Sequence, residues 1–220
     1  MIIVECCTNW RNLAEAKGMI RVAKECGAGL SKFQLFDSSD DKGKPHYAWV
    51  KAHELTFEQA KELFDYGASI DMEVFFSVFG AEYVEWCEKI GVKLYKLACG
   101  FRDIKTWKAV ASTGKTAFVS QSMPFMTNPA YLPSYVGMNC VSTYPAKGRD
   151  YRLATFSSRM LSDHTVGIDF AKIALSRNAL VVEKHFCLEH NPDYPDDAWS
   201  MTPADLKELV RFEKVVQECL

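Results

Sequence analysis

The sequence lacks long runs of basic residues, and it has no apolar segment long enough to cross a bilayer. Its 26 lysines and arginines against 28 acidic residues give a net charge of −2, which argues against a protein that binds the nucleic-acid backbone. The first residues, Met-Ile-Ile-Val-Glu-Cys-Cys, do not have the basic and long apolar regions of an export signal. We therefore expect a soluble, cytoplasmic protein whose partners are small molecules, with no nucleic acid and no membrane among them.

Glycine and proline are scarce, with 12 and 8 residues among 220, which excludes fibrous and low-complexity chains. The eight cysteines form no C-x-x-C pair, and several lie inside apolar runs. This pattern favours buried thiols in a reducing compartment over disulfides or a zinc cluster. Hydrophobic residues make up 48% of the chain, enough for a full core, and the length favours one domain over residues 1–220.

Short apolar runs alternate with amphipathic or alanine-rich stretches along the chain. Eight runs resemble strands, at 2–8, 31–36, 73–79, 93–98, 116–120, 138–144, 160–164 and 180–186. Helical patterns lie at 13–26, 56–66, 81–90, 103–112, 149–158, 168–177 and 203–219, with a weaker stretch at 124–135. Eight such units predict an α/β fold, a single (β/α)8 TIM barrel. A doubly wound open sheet is the alternative, although no G-x-G-x-x-G follows the first strand.

Several predicted helices have residues at their ends that are typical of helix termini. Glycines follow four of them, at Gly27, Gly67, Gly91 and Gly114. Two others begin at a threonine that can cap the helix, Thr56 and Thr202, and Pro203 follows the second of these.

Polar residues inside the predicted strands indicate a site. Side chains of a barrel strand point alternately to the interior and to the helices, and catalytic groups gather at the carboxyl ends of the strands. One alternation per strand places inside the barrel Glu5, Cys7, Asn9, Lys32, Gln34, Ser77, Lys96, Ser120, Ser142, Tyr144, Ser162, His164, Glu183 and His185. Because buried charges must be paired, this convergence predicts a ligand site. Strand registers wrong by one residue are the alternative, and they would send these groups to the helix layer or to loops.

The chemistry of this set suggests two kinds of ligand. His164 and His185 end adjacent predicted strands and could hold one divalent ion with positions left for water or substrate, although two histidines alone are weak evidence. An ammonium and three hydroxyls could hold a phosphate or a carboxylate, and they belong to Lys96, Ser77, Ser120 and Ser142.

Several motifs resemble those of the sialic acid (N-acetylneuraminate) synthase family. They are Lys32-Phe-Gln, Tyr95-Lys-Leu-Ala-Cys-Gly, Ser162-Asp-His-Thr-Val-Gly, Glu183-Lys-His-Phe, Pro195-Asp and Trp199-Ser-Met-Thr-Pro. They occur in the family's order and near its spacing, and the third and fourth are the most specific pair. The resemblance extends from residue 3 to about residue 210.

The resemblance implies a barrel that condenses phosphoenolpyruvate with the aldehyde of an N-acyl hexosamine or a related sugar. The products would be phosphate and a sialic-acid-like (nonulosonic) 2-keto acid. His164 and His185 would be the ligands of a divalent metal, Mn²⁺ or Mg²⁺. The catalytic residues implied are Lys32, Lys96, His185 and Asp196, and the substrate-binding residues are Gln34, Ser77, Cys99, Ser120, Ser142 and Tyr144. The resemblance also allows a homodimer.

The sequence departs from the family pattern at several positions. Arg11 lies near a position that is usually polar or acidic, and Cys99-Gly100-Phe101 replaces Ser-Gly-Glu, so a thiol takes the place of a hydroxyl and a carboxylate is lost. Two further departures are Ser120-Gln-Ser-Met123 for Ser-Thr-Gly-Met and Asn139-Cys140 for His-Cys. The chain ends at Leu220, after the eighth predicted helix, so the resemblance covers the barrel domain and not the family's C-terminal antifreeze-like domain.

Three functions are compatible with these observations. The first is a phosphoenolpyruvate-dependent aldol-type synthase with an altered acceptor. The second is a non-catalytic homologue that binds a sugar or a phosphorylated ligand, which the lost carboxylate at Phe101 favours. The third is a different metal-dependent barrel aldolase or hydrolase.

Overall fold

Eight parallel strands form the centre of the fold in a computed structural model, which describes residues 1–122, 132, 134–151 and 159–219. Each strand pairs with the next in sequence, and the last pairs with the first, so the sheet closes into a barrel. The strands are β1 (Ile2–Glu5), β2 (Leu30–Leu35), β3 (Glu73–Val78), β4 (Leu94–Leu97), β5 (Thr116–Gln121), β6 (Tyr135–Cys140), β7 (Met160–Asp163) and β8 (Val181–His185). The TIM-barrel prediction is confirmed, and the open sheet is excluded.

Helices follow most of the strands in the described part of the chain. They are α1 (Leu13–Cys26), α2 (Tyr47–Ala52), α3 (Phe57–Ser69), α4 (Ala81–Ile90), α5 (Ile104–Ser112), α6 (Asp169–Ser176) and α7 (Pro203–Glu218). The sequence pattern does not predict α2. The helix predicted at 149–158 begins as a short 3-10 helix, Gly148–Tyr151, and its remainder lies outside the described residues. The weak stretch at 124–135 also lies largely outside them, and its last residue begins β6.

The helix ends follow local capping chemistry. The Thr56 hydroxyl accepts from the Gln59 backbone N–H, and the Gln59 side chain accepts in return from the Thr56 backbone. Gly27 ends α1 with φ of 91°, a conformation that glycine adopts without steric cost. The predicted end at Gly67 is wrong, because α3 continues to Ser69. A Cβ at Gly67 would lie 2.4 Å from Val74, so this glycine allows α3 to pack closely on β3.

The barrel interior has two layers that follow from the alternation along each strand. The lower layer is apolar and is built by Ile3, Leu30, Phe75, Phe118, Met138, Met160 and Val181. Two residues further along the same strands, the side chains become polar or thiol-bearing, at Glu5, Lys32, Ser77, Ser120, Cys140, Ser162 and Glu183. The apolar layer closes one end of the barrel, and the second layer forms the floor of a cavity at the carboxyl ends of the strands.

A larger apolar core fills the space between the sheet and the helices. It includes inner faces of α1, α3, α4 and α7, whose charged residues face outward except Glu213, which is buried and pairs with the amino group of Met1. In the described part of the chain, no helix is long and apolar enough to span a membrane.

Candidate functional site

A cavity of about 260 Å³ opens at the carboxyl ends of the strands. Ten of the predicted site residues line it: Lys32, Gln34, Ser77, Lys96, Cys99, Ser120, Tyr144, His164, His185 and Asp196. Eight of these ten belong to the alternation set, whereas Cys99 and Asp196 come from the resemblance. The alternative of shifted registers is wrong for those that lie within the strands, at Lys32, Gln34, Ser77, Lys96, Ser120 and His185.

Glu183 is the centre of a buried ion network on the cavity floor. Its Oε2 lies 2.9 Å from Lys32 Nζ, and its Oε1 accepts a hydrogen bond of 2.5 Å from Lys96 Nζ. Ser162 Oγ also donates to Oε1, at 3.1 Å. Lys32 Nζ has a second carboxylate 2.6 Å away, that of Glu5. Both lysines are about 2% exposed, so their charges need these partners.

The two lysines differ in their electrostatics. Burial alone would lower the pKa of Lys32, but the carboxylates of Glu183 and Glu5 outweigh burial and raise that pKa above its usual value. Burial lowers the pKa of Lys96, because Glu183 only partly offsets it and the charge of Lys32 adds to it. Burial would raise the pKa of Glu183, yet the two ammonium groups hold it well below its usual range. Lys32 is thus a fixed cation, whereas Lys96 gives up its proton more easily.

The loop after β1 fixes Glu5. Its Oε1 accepts from the Cys7 backbone N–H at 2.8 Å, and Gln34 Nε2 donates to its Oε2 at 3.4 Å. Glu5 therefore faces one edge of Lys32 while its other oxygen holds the turn that carries the next residues of the chain.

His164 and His185 face each other, with ring centroids 5.4 Å apart. His164 Nδ1 lies 2.8 Å from the carbonyl oxygen of Val141, which can only accept, so Nδ1 carries the proton. Burial, with a contribution from His185, lowers the pKa of His164 to about 3. The ring is therefore neutral at pH 7, and its Nε2 keeps a lone pair for a ligand.

His185 lies beside ligand atoms that could bind a cation. One ligand atom each from Cys7, His185 and Asp196 lie within 4.8 Å of one another. His185 Nδ1 is buried and has no hydrogen-bond partner among the described residues, although Asp196 Oδ2 is 3.4 Å away. Burial would raise the pKa of Asp196, but His185 and the Cys7 thiol lower it below its usual value. Two imidazoles with a carboxylate fit a divalent ion.

Cys99 lies on the opposite side of the cavity. A hydrogen bond from Cys140, helped by Ser142 and Arg102 and opposed by burial, lowers the pKa of the Cys99 thiol to about 6. Tyr144 is 49% exposed, and its ring centroid lies 4.4 Å from that of His164 with the ring planes at 45° to each other. Burial of its hydroxyl raises the pKa of Tyr144.

Two residues of the alternation set do not line the cavity. Asn9 is buried and donates to the Phe186 carbonyl oxygen at 3.1 Å and to Ser200 Oγ at 2.9 Å, so it ties the β1 loop to the chain after β8. Ser142 is exposed, because β6 ends at Cys140 and does not continue to residue 144 as predicted. It influences the site through Cys99, whose pKa it helps to lower.

Several residues that line the cavity have no role predicted from the sequence. Some of them are in the alternation set, and others are not in it. Glu5, Cys7 and Ser162 are in the alternation set without a role, and so is Glu183, the centre of the network. Cys140 lines the cavity and has the same alternation as Ser142, so extending the pattern backwards by two residues would have found it. Phe79 and Ala98 also line it and have the same alternation as Ser77 and Lys96, but a search for polar residues does not select them.

Helix α2 packs against the β1 loop beside the site. Trp49 Nε1 donates to the Thr8 carbonyl oxygen at 2.9 Å, and the His53 ring stacks on Trp49 with centroids 4.4 Å apart. Glu54 holds the start of this segment, since its Oε1 accepts from Ser38 N at 2.7 Å and from Ser38 Oγ at 2.6 Å.

The model of the NeuB family matches residues 19–220 of the chain. The chain belongs to the NeuB family. An N-acetylneuraminate-9-phosphate synthase of Mus musculus is 27% identical over 93% of this NeuB-family chain and 66% of its own length. An N,N'-diacetyllegionaminic acid synthase of Campylobacter jejuni is 26% identical over 100% of this chain and 77% of its own length. These relatives confirm the resemblance to sialic acid synthases.

An uncharacterized protein of Methanocaldococcus jannaschii is 29% identical, and the chain covers 66% of its length, as it does for the mouse synthase. The chain thus spans about two thirds of the length of these curated relatives.

Solved structures agree on the fold. A sialic acid synthetase from Leptospira borgpetersenii superposes with a TM-score of 0.83 at 22% identity, over 99% of this NeuB-family chain and 84% of its own. A truncated 3-deoxy-D-arabino-heptulosonate 7-phosphate synthase from Thermotoga maritima superposes with a TM-score of 0.68 at 13% identity, over 100% and 87%.

Proposed function

We propose that the chain catalyses the condensation of phosphoenolpyruvate with a sugar aldehyde, an N-acyl hexosamine or a related sugar. The observation that carries this proposal is the cavity in which Lys96 and the hydroxyls of Ser77 and Ser120 face the pair His164 and His185. The names of the NeuB-family relatives support it, since they are synthases of sialic-acid-like sugars.

The proposed reaction forms one carbon–carbon bond and breaks one carbon–oxygen bond. C3 of phosphoenolpyruvate bonds to the aldehyde carbon, and the aldehyde oxygen takes up a proton. Water adds to C2, and phosphate leaves with its bridging oxygen. Phosphoenolpyruvate, aldehyde and water thus give a 2-keto acid and inorganic phosphate.

The anionic donor fits the side of the cavity that Lys96 occupies. Its ammonium group and the hydroxyl of Ser77 belong to paired positions of neighbouring strands, which places them side by side. Ser120 Oγ is buried and, within the described ranges, has no hydrogen-bond partner, so it is free to donate to a phosphate oxygen. These groups would hold the phosphate from binding to release and thereby fix the donor for attack.

His164 and His185 would hold the divalent ion, with Asp196 beside them. The neutral state of His164 and the unpartnered buried nitrogen of His185 support this assignment. An ion bound there would supply Lewis acidity toward the aldehyde oxygen, and Mn²⁺ or Mg²⁺ would serve. The Asp196 carboxylate would add an oxygen ligand beside His185.

Lys32 and Lys96 would have different roles in the reaction. Lys32 is held between two carboxylates and stays charged, so it would stabilise negative charge that develops near the reacting carbons. Lys96, whose pKa burial lowers, is the better proton donor of the two. Glu183 would keep both ammonium groups in place.

A cytoplasmic location is part of the proposal. All eight cysteines are free thiols, and burial raises the pKa of several of them, including Cys6 and Cys87. Free cysteines are typical of proteins that work in a reducing compartment.

The test is release of phosphate from phosphoenolpyruvate in the presence of Mn²⁺ and a panel of N-acyl hexosamines and simpler aldoses. We expect release that requires both the aldehyde and the ion, and loss of turnover in His185→Ala with the fold retained by circular dichroism. No release with any aldehyde, or equal release without one, would overturn the proposal. Binding of phosphoenolpyruvate without turnover would indicate a binding homologue.

A further inference from the structure

Cys7 has a backbone conformation that is unusual for its residue type. Its φ is 44°, in the left-handed region that favours glycine and, less strongly, asparagine and aspartate. The conformation is held from both sides, because the Cys7 N–H donates to Glu5 Oε1 at 2.8 Å and its carbonyl oxygen accepts from Trp10 Nε1 at 3.0 Å. Uncommon backbone conformations are concentrated at functional sites, which directs attention to where this side chain points.

The Cys7 thiol points to His185 and Asp196. One ligand atom from each of the three, the Cys7 sulfur among them, lies within 4.8 Å of the others. The His185 side chain is only 9% exposed, and its Nδ1 lacks a hydrogen-bond partner in the described part of the chain. This buried nitrogen is a second, independent indication of a ligand. A sulfur, a nitrogen and an oxygen around one point form a ligand set that a divalent transition metal prefers.

We propose that Cys7 is a protein ligand of the divalent ion together with His185 and Asp196. Ligation replaces the S–H bond by a sulfur–metal bond and releases the proton to solvent. Because thiolate is a soft ligand, Cys7 biases the site toward Co²⁺, Zn²⁺ and Fe²⁺ and away from Mg²⁺. This inference deepens the metal site of the proposed function and rests on it.

A second group of ligand atoms lies in the segment after β8, which also carries Asp196, and serves as an internal control. Cys187, His190 and Asp197 also come within 4.8 Å of one another. His190 Nδ1 is already 3.0 Å from Asp197 Oδ1, and neither Cys187 nor His190 lines the cavity. A thiolate signal from this group must be separated from that of Cys7.

The experiment titrates the full chain with Co²⁺ and records the thiolate-to-cobalt charge-transfer absorption in the near ultraviolet. The variants are Cys7→Gly, which suits φ of 44°, and Cys187→Ser. We expect the absorption in the wild type and in Cys187→Ser, and its loss in Cys7→Gly. Since outer-shell groups already change metal affinity by about 10- to 100-fold, loss of this direct ligand should weaken Co²⁺ binding at least about tenfold. Mg²⁺ binding should change much less.

Three outcomes would overturn the inference. They are an unchanged absorption in Cys7→Gly, its loss only in Cys187→Ser, and Co²⁺ binding to the wild type without the absorption. Phosphate release with Mn²⁺ is measured on the same proteins. Release without a thiolate signal overturns Cys7 ligation and leaves the proposed function standing, whereas absence of both Co²⁺ binding and release overturns both. Circular dichroism confirms that Cys7→Gly is folded.

Discussion

Glu183 Oε2 lies 2.9 Å from Lys32 Nζ although β1 separates their strands in the barrel. The contact therefore passes through the barrel interior and not along a pair of hydrogen-bonded strands. The same carboxylate also pairs with Lys96, so two buried ammonium groups share one acidic group, and Glu5 is a second partner of Lys32. We therefore expect both the stability of the fold and the proposed function to depend on this arrangement.

Glu183→Gln should destabilise the fold strongly. The amide keeps the size of the side chain but leaves two buried ammonium groups without their shared counter-charge, which costs about 3–5 kcal/mol in comparable buried pairs. The measurement is the free energy of unfolding in urea at pH 7. Glu25→Gln is the matched control, because Glu25 forms an exposed pair with Arg21 and its loss should change little. Equal stabilities of the two variants would contradict the network described here.

The contribution of Glu54 to stability should depend on pH in a defined direction. Burial would raise the pKa of Glu54, but Lys51 and Ser38 outweigh burial and lower it below its usual value. The carboxylate therefore stabilises the fold above the unfolded pKa of about 4.3, and this contribution is lost as the pH falls through the lower folded value. Glu54→Gln should be less stable than the wild type at pH 7, and the difference should disappear as the pH falls below the lowered folded pKa of Glu54. A difference that is independent of pH would contradict this assignment.

Lys96→Gln should weaken binding of phosphoenolpyruvate more than it changes the KM for the aldehyde. Hydrogen bonds to charged groups contribute about 1.5–3 kcal/mol each, so the loss corresponds to roughly 10- to 150-fold in affinity. Calorimetry with phosphoenolpyruvate measures it. Lys93→Gln is the control on the same segment, since Lys93 is exposed and pairs with Glu73 outside the cavity. An equal effect of both substitutions would place the anion elsewhere.

Removal of the metal should weaken binding of phosphoenolpyruvate even without turnover. Among the described cavity-lining residues, two ammonium groups face three carboxylates, which leaves an excess negative charge that repels a phosphate and a carboxylate. A divalent ion reverses that sign. We expect affinity in EDTA to fall at least about tenfold, or about 1.4 kcal/mol, relative to Mn²⁺. The same affinity under both conditions would contradict the proposed position of the ion.

The sequence predicts the barrel well because the fold depends on strand alternation, which is a local property. Ile3 and Glu5, or Phe75 and Ser77, are two residues apart, so the apolar lower layer of the barrel and the polar layer above it both follow from the sequence. Loops are less predictable, because their contacts come from distant residues. The structure ends β6 before Ser142, and it places Asn9 against Ser200 and away from the cavity.

Helix α2 and the position of Glu183 at the centre of the ion network are also not predictable from the sequence. The six residues of α2 carry no clear apolar stripe, and their position depends on the contact of Trp49 with Thr8. Glu183 looks like any polar strand residue until the barrel closes and brings two lysines to it. Pairing between distant strands is a property of the closed sheet, and no spacing in the sequence indicates it.

The fate of the bridging oxygen of phosphoenolpyruvate tests the central claim most directly. The donor is labelled with ¹⁸O between C2 and phosphorus and is incubated with the chain, Mn²⁺ and an accepted aldehyde, and the phosphate is analysed by mass spectrometry. We expect each phosphate to carry the label, because water adds to C2 and the C2–O bond breaks. Unlabelled phosphate would show cleavage of the bond between oxygen and phosphorus, and it would contradict the proposed condensation.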